Sequence, residues 1–153
     1  MEADRVARPW GVYVLVALLS LLALAAIPSG AALVAEPSGA LLGMSVDLLA
    51  GSPFPDFLLP GVVLLSVLGV FPLAVAFVLW RRPSWPNQPR FGVDPAWLAA
   101  IAVGIALIIW ILVQMTILQF FLQPVMLVQG LGIIGVSLLP AVRRYYRQPV
   151  PSG

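Results

Sequence analysis

Asp47 and Asp56 are the residues best placed to do chemistry, since with Glu36 they are the only acids between the first and second apolar runs. Two carboxylates brought within a few ångströms can share acid–base work or hold a cation. Each also has a plainer use. Asp56 precedes Pro60 by four residues, where a carboxylate caps the start of a helix, and Asp47 falls on the polar side of an amphipathic stretch, exposed to water. A second constellation is aromatic and amide. Trp110 and Gln114 are one helical turn apart on one face, and an antiparallel hairpin turning near Leu122 puts Gln129 at the depth of Gln114. The two amides then either satisfy each other, holding helices together by about 1 kcal/mol, or anchor a ligand headgroup in an apolar pocket beside Trp110.

Gly130-Leu131-Gly132-Ile133-Ile134-Gly135 spells the glycine pattern of dinucleotide sites, which requires a strand before it and a helix after it. Here the pattern lies inside an apolar run, so it is read as close helix contact through small residues. Gly61 with Gly69, and Ala100 with Gly104, offer similar small faces. Missing residue types exclude whole chemistries. Without cysteine there is no thiolate nucleophile, disulfide relay or Cys-ligated metal. Without histidine the commonest metal and haem ligand is gone, and because all eight basic residues are arginine, no lysine Schiff base can form. No metal and no cofactor is expected. The net charge of +2 is too small, and too closely tied to helix ends, to suggest nucleic acid.

The elements that must position these residues are membrane spans. Hydrophobic residues make up 61% and charged residues 9% of the 153 positions, and the mean hydropathy is +1.06. An ordinary water-soluble domain does not reach such values. Four spans leave no room within these residues for a soluble domain. Arg5 and Arg8 precede the first apolar run, Arg81, Arg82 and Arg90 separate the second from the third, and Arg143, Arg144 and Arg147 follow the fourth. The other two connections carry no basic residue. Positively charged loops stay cytoplasmic, so the pattern predicts an all-α, integral membrane four-helix bundle with both termini inside.

The spans are expected at about 10–34, 57–80, 96–118 and 125–142, with an external loop at 36–56 and a cytoplasmic loop at 81–95. The first continues past a Pro28-Ser29-Gly30 break. Its basic leader and Ala25-Ala26 also fit a secretory signal peptide, but the arginine pattern favours a retained span. Within the external loop, residues 40–50 place Leu41, Leu42, Met44, Val46, Leu48 and Leu49 on one side of a helical wheel. This predicts a short amphipathic helix that lies in the interface or folds over the bundle. Pro72 frees the carbonyl of Leu68 and predicts a kink beside Gly69. Trp10, Tyr13, Trp80, Trp85, Trp97, Tyr145 and Tyr146 form one aromatic belt, and Phe54, Phe57, Phe120 and Phe121 the other.

Three stretches carry a resemblance: Gly51-Ser52-Pro53-Phe54-Pro55-Asp56-Phe57-Leu58-Leu59-Pro60-Gly61, Trp110-Ile111-Leu112-Val113-Gln114, and Leu122-Gln123-Pro124. They resemble a family of small four-pass bacterial membrane proteins described only as hypothetical, and the similar parts cover about half of the chain. The resemblance implies the bacterial cytoplasmic membrane and brings no activity or ligand with it. The composition leads first to a non-catalytic protein that packs against further copies of itself, a larger membrane complex or membrane lipids. The alternative is a binder of a small lipophilic molecule at Trp110, Gln114 and Gln129, which calls for an outward-opening cavity of about 300 Å³ or more. A third reading is a lipid-modifying enzyme using Asp47 or Asp56.

Overall fold

The computed structural model describes residues 7–83 and 93–147. Five α-helices follow one another: α1 (Trp10–Ala35), α2 (Leu58–Arg81), α3 (Pro95–Ile117), α4 (Gln123–Leu138) and α5 (Pro140–Arg147). No strand occurs among the described residues. α1, α2 and α3 are each long and apolar enough to cross a membrane, while α4 and α5 meet that standard only as a pair bent by 59°. The protein is an all-helical, multi-pass membrane protein of three to four candidate spans. Large apolar side chains lie both on its surface and in its interior: Leu24, Phe77, Ile109 and Val128 are outside, while Leu15, Leu19, Leu107 and Ile133 are fully buried. Helices apolar all round suit protein on one face and lipid on the other.

Each of the four long helices packs against two neighbours, so that α1, α2, α3 and α4 close a ring. Small residues set the spacing and show that neighbours run antiparallel. A Cβ at Gly30 would lie 2.5 Å from the Leu65 backbone nitrogen, and one at Gly61 would lie 2.6 Å from Leu33 Cβ. α1 and α2 thus touch almost backbone to backbone. Gly104 and Gly130 form the matching contact between α3 and α4, where a Cβ at Gly104 would come within 3.1 Å of the Gly130 carbonyl. Of the glycine-rich stretch, Gly130 packs inside the bundle, whereas Gly135 meets nothing within 4 Å.

Prolines shape the helices in three different ways. α1 runs unbroken through Pro28, and the Ser29 hydroxyl donates to the Ala25 carbonyl at 2.9 Å. In α2 the accommodation of Pro72 is a π turn, Ser66–Val70, where the Phe71 N–H reaches back to the Ser66 carbonyl. The wide turn takes up a proline that has no N–H to offer the Leu68 carbonyl. Pro140 stops its helix instead. The span expected at 125–142 ends at Leu138, Leu139 adopts φ −54° and ψ 134°, and α5 departs at an angle. A residue before proline is pushed out of helical geometry, and Leu139 follows that preference where Ile27 and Phe71 do not.

The loop between α1 and α2 also differs from expectation. In place of one helix over 40–50, two short 3-10 turns form, Ala40–Leu42 and Val46–Leu49. Gly43 sits between them at φ +66°, a left-handed conformation that a continuous helix cannot contain. The Ser45 hydroxyl accepts the Asp47 N–H at 3.2 Å and restarts the second turn. Sequence periodicity reports which side chains are apolar, not whether the backbone between them can stay helical.

Candidate functional site

Under this loop, at the end of the bundle where α1 finishes and α2 begins, lies an apolar cavity of about 120 Å³. Met44, Leu48, Leu49, Phe54 and Phe57 roof it, Leu33 of α1 and Leu64 of α2 wall one side, and Trp110, Val113, Gln114 and Ile117 of α3 wall the other. The roof is anchored rather than draped. Phe57 and Leu49 are 6% and 7% exposed and form a small core of their own with Leu33. The Phe57 N–H donates to the Pro37 carbonyl at 2.9 Å, and a Cβ at Gly39 would lie 2.9 Å from the Phe57 ring. Only glycine lets the loop pass so close.

Two of the lining residues carry polar groups, an amide on Gln114 and an indole N–H on Trp110. Among the described residues neither has a hydrogen-bond partner. Both residues are part-exposed, so their polar groups keep access to solvent and are free to accept or donate to a ligand at the cavity. Trp110 and Gln114 thus lie together among the residues that line the cavity.

Gln129 does not join it. Its Nε2 donates to the Leu18 carbonyl at 3.0 Å, tying α4 to α1. The expected equal depth does not hold, because Gly130 packs against Ile108 and Gly104 against Ile134, a register that sets Gln129 more than a helical turn from Gln114 along the bundle. Gln114, ten residues beyond Gly104, is also rotated about 80° from the face that meets α4. The carboxylates also lie apart from the cavity lining. Asp56, one residue before the N-cap Phe57, accepts at Oδ1 the N–H of Leu58, the first residue of α2, at 2.9 Å. Asp47 is exposed and accepts the Ser45 hydroxyl at 3.0 Å, and Glu36 accepts the Ser38 N–H at 3.4 Å. Among the described residues no group of three or more carboxylates could hold a metal ion.

At the opposite end, Arg82, Tyr145 and Tyr146 bind the elements together. Arg82 has φ +46°, unusual for a residue with a side chain, and its N–H caps α2 by donating to the Val78 carbonyl at 2.8 Å. Its guanidinium stacks 4.1 Å from the Tyr145 ring centroid and donates to the Tyr145 carbonyl. The Tyr146 hydroxyl donates to the Leu79 carbonyl at 3.1 Å, and Trp97 Nε1 to the Ser137 carbonyl at 2.8 Å. Trp97, Tyr145 and Tyr146 are therefore buried bundle residues, not members of an aromatic belt. Trp10, Tyr13 and Trp80 do lie outside, and Trp85 falls outside the described residues.

Sequence reasoning passed over Gln123, a buried side chain that closes the α3–α4 turn. Its Nε2 donates to the Leu118 carbonyl at 2.7 Å and its Oε1 accepts the Phe120 N–H at 3.1 Å. The signal was present: a glutamine beside proline at a hairpin turn has unsatisfied helix-end groups on both sides. No family model, curated protein or solved structure matches the chain.

Proposed function

We propose that the protein is a non-catalytic, four-span protein of the bacterial cytoplasmic membrane that holds a small lipophilic group beneath its external loop. In this reading both termini are cytoplasmic, the loop roofing the cavity faces outward, and α4 makes the fourth crossing with α5 at the inner surface. The observation that carries it is the apolar cavity with two hydrogen-bonding groups, on Trp110 and Gln114, that lack partners among the described residues. Its volume of about 120 Å³ falls short of the roughly 300 Å³ that encloses a whole ligand and resembles a cavity that holds one aromatic ring. The occupant is thus a ring or the end of a chain, with the remainder of the molecule outside. A second reading, packing against another copy or a larger complex, draws on Gly135, which is exposed on α4 with open space where its Cβ would be.

Purification from native membranes in mild detergent, followed by extraction and mass spectrometry of bound lipophiles, tests both. The first reading expects a compound retained by the wild type and lost from Gln114→Leu and Leu49→Trp, the latter filling the cavity. Equal retention by all three proteins would rule out the cavity as the site. A protein that migrates with a stoichiometric partner and no lipophile would favour the second reading.

A further inference from the structure

The exposed edge of α1 and α2 at the arginine-bearing end carries two cations arranged on a platform of rings. The Arg8 guanidinium lies 4.6 Å from the centroid of Trp80, and that of Arg81 lies 5.2 Å from the centroid of Phe77. Trp80 in turn meets Tyr13 edge to face at 5.7 Å. The rings face outward, with Tyr13 51%, Phe77 58% and Trp80 42% exposed. In a multi-pass membrane protein such apolar surface meets acyl chains. Stacking on a ring positions a guanidinium without using its N–H donors, so both forks remain able to bind an oxyanion. Among the described residues neither Arg8 nor Arg81 forms an ion pair. The one acid described at this end, Asp94, uses its Oδ1 to accept the Ala96 N–H at 2.8 Å and so caps α3.

We propose that this edge is a headgroup site for one anionic phospholipid of the surrounding bilayer, with Arg8 and Arg81 on the phosphate and Tyr13, Phe77 and Trp80 against its acyl chains. Two guanidinium groups over an apolar floor complement a phosphodiester with two hydrocarbon tails. A zwitterionic lipid fits less well, because its ammonium group brings a positive charge towards the arginines. Arg143 and Arg144 lie exposed on α5, and the cation contacts of Trp80 and Phe77 are made by Arg8 and Arg81 instead.

Native mass spectrometry of the purified full chain, incubated with phosphatidylglycerol or phosphatidylcholine, measures the preference. The wild type should retain phosphatidylglycerol about tenfold better. Arg8→Gln with Arg81→Gln should abolish the preference, whereas Arg143→Gln with Arg144→Gln, an equal loss of charge, should keep it. Equal retention of the two lipids by the wild type, or an equal loss from both double variants, would overturn the site. A second arm needs no variant. In vesicles, phosphatidylglycerol with brominated chains should quench tryptophan fluorescence more than brominated phosphatidylcholine at the same mole fraction, and equal quenching would contradict the proposal.

Discussion

Gln123 shows what one amide does where two spans turn. It is 4% exposed and completes both the end of α3 and the start of the turn. Gln123→Leu leaves the Leu118 carbonyl and the Phe120 N–H without that partner, a loss of about 1–3 kcal/mol. Thermal unfolding in detergent should show a lowered midpoint, while Gln119→Leu, at an exposed neighbouring position, should leave it unchanged. Three glutamines illustrate how little residue type alone reveals: Gln123 closes a turn, Gln129 bridges α4 to α1, and Gln114 lines the cavity. Their polarity in an apolar run was legible. Their partners depend on which way each helix is rotated, and rotation is decided by where the glycines allow close approach.

Among the elements, α1 and α2 are held together by a row of glycine contacts that no larger residue can reproduce. Gly30→Ala places a methyl group 2.5 Å from the Leu65 backbone nitrogen, so the helices must separate, at a cost of about 1–3 kcal/mol. Gly135→Ala meets nothing within 4 Å and should be neutral or slightly stabilising, since alanine is the better helix former by about 1 kcal/mol. Unfolding midpoints measured side by side should separate the two variants. Equal effects would mean that the α1–α2 contact is looser than described. The long helices were readable because an apolar stretch of sufficient length has few alternatives. The break at Leu139 and the division of the 40–50 segment were less readable. Each turns on a single backbone preference, Pro140 acting on its predecessor and Gly43 adopting positive φ, which the apolar pattern conceals.

For the molecule as a whole, the two ends of the bundle have opposite characters. Arg8, Arg81 and Arg82 gather at one end with α5, whose Val142 packs beside Gly11. Glu36, Asp47 and Asp56 lie with the roofed cavity at the other. If the arginine-bearing end is cytoplasmic, the cavity opens on the outer face and the proposed lipid site on the inner leaflet. The chain contains no cysteine, so each introduced cysteine reports without background. Single cysteines replacing Ala7, Pro83, Ala141 and Ser45, probed on intact cells with a membrane-impermeant maleimide, measure the orientation directly. The account predicts that Ser45→Cys is labelled at once, and that the other three react only after the membrane is permeabilised. Labelling of Pro83→Cys and Ala141→Cys from opposite sides, or of Ser45→Cys only from within, would contradict it.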